Sequence, residues 1–177
     1  YRRGPLHIHE YTHTMQASSW INTEVQDPQE ASNQASPCWL NEGFPHAIGL
    51  SAGTDDYSAY LSLRNGEVIG RHLQGVFDDY GNVYSTQTIV DYFDNSVPGT
   101  CIGKKDYAAG YSIGLLTVEA LNAVAGSESA MHLYTYMASG LAYQDAFEVV
   151  YGLPWDSAKS LLAAHVSVVV NSVLQTG

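Results

Sequence analysis

Apolar positions recur at helical spacing in some stretches of this chain and lose their rhythm in others, and that contrast divides it. Residues 5–19 carry Leu6, Ile8, Met15 and Ala17, with Pro5 suited to a first turn, and predict a helix. Residues 20–37, WINTEVQDPQEASNQASP, are polar with two prolines and predict a loop. An apolar run from about Cys38 to Ala52 predicts a second helix. That helix should begin or kink near Pro45, because a proline ring does not fit a regular helix interior. Residues 53–105 are rich in Gly, Asp, Asn, Ser, Thr and Tyr without a sustained period. They predict an irregular region with short helical pieces, YSTQTIVDYF among them.

From Asp106 the pattern becomes plainly helical. One helix ends at Gly126, and a second is capped by Ser127 and stops at Gly140. A third stops at Gly152, and a fourth is capped by Asp156 or Ser157. The expected fold is mainly α in a single domain, residues 1–177. It would comprise helices over about 5–52, an irregular region over 53–105 and a helical bundle over 106–175.

An apolar content of 45% is enough for a core. Seven Lys and Arg stand against 18 Asp and Glu, a formal net charge of −11. Nucleic-acid binders need basic patches and anionic membranes attract basic ones, so neither partner is expected. No uninterrupted apolar run approaches the roughly 18 residues of a membrane span, and no signal peptide is visible. The first residue is Tyr1 rather than Met, as in a processed or partial chain. Cys38 and Cys101 are either a disulfide closing a long loop, as in a secreted protein, or two buried thiols. Neither belongs to a Cys-x-x-Cys pair, so they do not form a zinc knuckle.

The stretch HIHEYTHTMQ, residues 7–16, crowds three of the chain's seven histidines around one glutamate. His9-Glu10-Tyr11-Thr12-His13 is H-E-x-x-H. On a helix, positions i and i+4 share a face, so both imidazoles can reach one Zn²⁺ at about 2.0–2.1 Å. Glu10, next in sequence, points beside the metal, where it can take a proton from a water on the zinc. His7 faces away at i−2 from His9 and reads as a surface histidine or one that backs a ligand. A zinc site needs a third protein ligand and an open position. Glu42, in PCWLNEGFPHAIG, supplies a carboxylate on the next helical segment.

H-E-x-x-H followed on a later helix by N-E-G resembles the gluzincin, or peptidase-MA-like, metallopeptidases. WLNEGF, residues 39–44, is similar to the corresponding segment of the aminopeptidase N and leukotriene A4 hydrolase group. HEYTH with a glutamine three residues on resembles bacterial collagenases. The spacing of 28 residues between His13 and Glu42 is close to the collagenase one. The resemblance implies His9, His13 and Glu42 as ligands of one zinc ion and Glu10 as general base and acid. It also implies a helical subdomain preceded by a small β-sheet, which would lie upstream of this chain.

KKDYAAGYSIGLL resembles the Tyr-x-x-Gly segment of the aminopeptidase group. This implies Tyr107 as a hydroxyl donor to the tetrahedral oxyanion, with Tyr111, one turn on, as its rival. Four positions after the ligand glutamate the family often has an acid that orients a zinc histidine. Here that position is His46, a departure. His46 is then a substrate-side donor, an extra ligand or a surface histidine, and the orienting acceptor falls to Asp55, Asp56 or a backbone carbonyl. Asp55-Asp56 and Asp78-Asp79 allow a calcium role, but neither lies in an EF-hand pattern.

The expected activity is zinc-dependent hydrolysis of peptide or protein substrates, by an extracellular or secreted endopeptidase. The alternative is a catalytically silent module that keeps zinc for structure. Only catalysis needs Glu10, and its presence weighs against that alternative. A different hydrolase on the same scaffold is a third class, which nothing in the sequence singles out.

Overall fold

The structure is a computed structural model, and it describes residues 4–101 and 106–176. In chain order the helices are α1 (Pro5–Ser18), α2 (Pro28–Ala35), α3 (Cys38–Gly53), α4 (Tyr57–Leu73) and α5 (Thr86–Asn95). Then follow α6 (Asp106–Ala109), α7 (Leu115–Ala125), α8 (Ser129–Ala138), α9 (Tyr143–Tyr151) and α10 (Trp155–Thr176). A 3₁₀ turn spans Asp78–Tyr80, and a π-helical segment, Gly110–Gly114, joins α6 to α7. No strand occurs among the described residues, so the protein is mainly α.

α3 is the centre. Every residue from Cys38 to Pro45 is buried, as befits a helix packed on all sides. Trp39 stacks on Trp155 of α10 at 5.4 Å between ring centres, with Phe93 of α5 and Tyr143 of α9 edge-on to it. That aromatic cluster joins three later helices to α3. α1 and the π segment also pack on α3, and both come very close. A Cβ on Gly43 would fall 2.3 Å from the carbonyl carbon of Gly114, so the two helices meet backbone to backbone there. Cys38 and Cys101 form a disulfide that ties the start of α3 to the segment before α6.

Several elements differ from the sequence expectation. The stretch read as a loop, 20–37, contains α2. Pro28 opens it, and Asp27 caps it by accepting from the Gln29 and Glu30 amides. The region read as irregular, 53–105, contains α4 as well as α5. Asp56 caps α4 by accepting from the Ala59 amide. α4 buries only Val68 fully, so it shows little apolar period. Polar contacts hold it instead, with Arg64 pairing with Glu119 of α7 at 2.8 Å and Tyr60 bonded to the same carboxylate.

Pro45 neither starts nor ends α3, which runs through it as one helix. Ser127 is not the cap of α8, where Glu128 holds that position. α10 begins at Trp155, which puts Asp156 in its first turn, a place where a carboxylate suits the helix dipole. Two helical stretches, Tyr107–Ala125 and Trp155–Thr176, are long and apolar enough by length and composition to cross a membrane, which counting unbroken apolar runs missed. More than half of the apolar window in the first is buried inside the fold. The second buries one face, including Trp155, Ala163, Val166 and Val170.

Candidate metal centre

α1 carries His9 and His13 on one face, and that face lies on α3. The approach depends on Gly49, where a Cβ would fall 2.7 Å from the Pro5 carbonyl oxygen and 3.2 Å from His9 Cβ. Across this contact Glu42 meets both imidazoles. His9 Nε2 and His13 Nε2 are 3.1 Å apart, and Glu42 Oε2 lies 3.5 Å from the first and 3.6 Å from the second. A tetrahedral ion 2.0–2.2 Å from its ligands separates them by about 3.3–3.6 Å, so the three atoms already form one face of such a tetrahedron. Glu42 Oε2 is buried and has no hydrogen-bond partner, which leaves that oxygen free to meet an ion. Among the described residues these three form the one group of His, Cys, Asp and Glu side chains close enough together to hold a metal.

The electrostatics suit that role. Burial pushes the Glu42 carboxyl up, but His13, His9 and the Tyr111 hydroxyl outweigh it and hold it at about 2, so Glu42 is an anion. Burial pulls His13 down, and the Glu42 carboxylate overrides it and raises the imidazole above its ordinary value. Gly110 leaves room for Glu42, since a Cβ there would lie 2.8 Å from Glu42 Cβ. It is the glycine of the Tyr-x-x-Gly segment.

Glu10 is solvent-exposed, as is His7, which takes no part in the cluster. Tyr107 is 38% exposed, and its hydroxyl lies 2.8 Å from that of Tyr111. Burial raises Tyr107 above its ordinary pKa, and the Glu42 and Glu10 carboxylates add to the effect. Tyr111 is the more enclosed of the pair. Its ring stacks on His9 at 5.3 Å and carries the Arg71 guanidinium 4.6 Å from its centre on α4's side. Both tyrosines are thus at the site in different settings, with Tyr107 partly open to solvent and Tyr111 packed against His9. The π segment in which Tyr111 sits has no counterpart in the regular helix expected there, and such segments are frequent at functional sites.

His46 stands 5.6 Å from the His9 ring and 5.1 Å from the Tyr111 ring, with Nε2 3.8 Å from Glu67 and unbonded. Burial first, then the charges of His9 and Arg71, pushes it down to about 4, so it is neutral. It is not one of the three grouped ligands. Instead it lines a cavity of about 260 Å³ that opens beside His9. Leu6, Leu50 and Leu63 give that cavity apolar walls, and Glu67 and Arg71 give it a charged rim. A larger cavity, of about 520 Å³, lies elsewhere, between α7, α9 and α10. Its lining is mostly apolar, with Glu119 and His165 among it.

Sequence reasoning noted Gln16 only as part of a resemblance and gave it no role. Its Oε1 is 2.8 Å from His13 Nδ1, and its Nε2 donates to the Tyr134 hydroxyl at 2.7 Å and the Asn41 carbonyl at 3.2 Å. The orienting partner of His13 is therefore neither Asp55 nor Asp56, the latter being the cap of α4. The available signal was position, because a glutamine three residues after a ligand shares its helix face. On the other side Asn41 donates to Glu42 Oε1 at 3.3 Å. No family model, curated protein or solved structure matches the chain.

Proposed function

We propose that this chain is a zinc-dependent peptidase of gluzincin type that cuts within peptide or protein chains. The triangle of His9 Nε2, His13 Nε2 and Glu42 Oε2 carries the reading, with Glu10 following the first ligand directly. The motif resemblance and the exposed Tyr107 beside the triangle support it. When bound, zinc supplies a Lewis acid for the scissile carbonyl and lowers the pKa of water to about 7.

The rest is the work of the protein's own groups. Glu10 takes a proton from the attacking water and returns it to the leaving amine, so one carboxylate serves both halves of the reaction. Tyr107 donates its hydroxyl hydrogen bond to the oxyanion as the carbonyl becomes tetrahedral. Its raised pKa keeps that proton in place at neutral pH. Tyr111, stacked on His9, holds the ring of a ligand and offers Tyr107 a resting partner. The Cys38–Cys101 disulfide favours an oxidising compartment, and we assign the chain to the extracellular side on that ground.

The test is zinc content together with cleavage of casein or gelatin, with and without 1,10-phenanthroline, for wild type and Glu10→Gln. One zinc per chain and chelator-sensitive cleavage lost in Glu10→Gln are expected. Zinc binding with no cleavage by wild type would make the chain a zinc-stabilised structural module instead.

A further inference from the structure

The most completely bonded polar side chain near the triad does not touch the metal position. Gln16 is wholly buried, and a primary amide in such a place must find partners for its one acceptor oxygen and its two N–H donors. All of these are engaged, by His13, Tyr134 and Asn41. The identity of the third partner matters most. A backbone carbonyl can only accept, so the amide nitrogen of Gln16 must face Asn41 and the amide oxygen must face His13. The Tyr134 hydroxyl, which can donate or accept, adapts to either orientation and decides nothing.

The Asn41 carbonyl is available for a reason written in the sequence. Inside a helix it would accept from the amide four residues on, and that residue is Pro45, which has no N–H. The proline that a sequence reading takes for a helix breaker therefore leaves an acceptor free in the middle of α3, and Gln16 fills it.

We propose that Gln16 is a positioning residue that fixes the tautomer of His13, its own orientation being set by the carbonyl that Pro45 leaves free. With the Gln16 oxygen against Nδ1, that nitrogen carries the proton, and the lone pair of the neutral ring sits on Nε2. Nε2 is the atom 3.1 Å from His9 Nε2 and 3.6 Å from Glu42. The amide thus aims a lone pair into the triangle before any ion arrives, and anchors it through Tyr134 to α8. The consequence for metal affinity rests on the zinc reading above, whereas the tautomer itself does not.

Two measurements test this. In the metal-free wild type, at a pH where the imidazoles are neutral, nitrogen-detected imidazole correlations should place the His13 proton on Nδ1. A proton on Nε2 overturns the proposal, whatever the protein does with zinc. The second is zinc affinity by chelator competition for Gln16→Met and Gln16→Glu. Methionine keeps the shape but offers no acceptor to Nδ1–H, and affinity should fall about 10–100-fold. Glutamate keeps the acceptor for Nδ1–H but loses the donor to the Asn41 carbonyl, so its affinity should lie between those of Gln16→Met and wild type.

If Gln16 only filled space, the order would reverse, with Met tolerated and the buried Glu harmful, and that result contradicts the proposal. Should Gln16→Glu fail to fold, the wild-type tautomer and Gln16→Met still decide. Should the wild type bind no zinc at all, the peptidase reading falls, and the His13 tautomer still decides the role of Gln16.

Discussion

His9 and Glu42 are 2% and 3% exposed, whereas Glu10, next to His9 in sequence, faces solvent, and Tyr107 is more than a third exposed. His9, His13 and Glu42, the proposed ligands, sit between two helices in glycine-mediated contact, and His13 and Glu42 are held from behind by Gln16 and Asn41. The proposed proton carrier Glu10 and the proposed oxyanion donor Tyr107 have little comparable support, and the Tyr107 hydroxyl leans on that of Tyr111, its neighbour one turn on. The difference follows from the tasks. A metal ligand must be in place to within tenths of an ångström before the ion arrives, so its surroundings are dense, although the buried His9 Nδ1 has no hydrogen-bond partner. A proton carrier must meet a substrate that comes from solvent, so it cannot be enclosed in the free protein.

That contrast makes substitutions on the two sides behave differently. The largest effect on turnover should come from Glu10→Gln. It should lower kcat by about 10²–10⁴-fold while zinc content and melting temperature stay at wild-type values. Loss of zinc in that variant would mean that Glu10 belongs to the ligand side. Tyr107→Phe should follow, with kcat down by about 10²–10³-fold and zinc retained. A larger loss in Tyr111→Phe would hand the donor role to Tyr111.

On the ligand side Gly43→Ala should act through stability. Its Cβ would fall 2.3 Å from the Gly114 backbone, and chemical denaturation should record a loss of about 1–3 kcal/mol or more, with metal affinity falling alongside. The smallest effect is that of pH. His13 must be deprotonated to ligate and its pKa is raised by Glu42, so zinc affinity should weaken as pH falls through that value, which lies above 6.5. Isothermal titration at several pH values reads this directly. An affinity that rises on acidification would contradict the assignment of His13.

The two sides were also unequally legible in the sequence. His9 and His13 could be read because helix geometry fixes what i and i+4 can do, and Glu42 because its neighbours resemble a known motif. The mainly α class followed from apolar spacing after Asp106. α2 and α4 could not be read that way. Each buries a single residue fully, Ser32 and Val68, and both are started by Asp caps followed by polar residues rather than by an apolar stripe. Pro45 misled because its local cost is plain in the sequence, while the compensating donor, Gln16, comes from another helix. Gln16, seen only as part of a motif, was given no role because an acid or a backbone carbonyl was expected to orient the histidine. Tertiary contacts of this kind have no local signature.

The peptidase reading depends on His9, His13 and Glu42 holding one zinc ion, and X-ray absorption at the zinc edge of the reconstituted protein reads that coordination without intermediary. One zinc per chain is expected, with four ligands at about 2.0–2.2 Å, two of them imidazoles and none sulfur, and no specific binding by His13→Ala. An all-oxygen, six-coordinate spectrum, or unchanged zinc stoichiometry and affinity in His13→Ala, would contradict it.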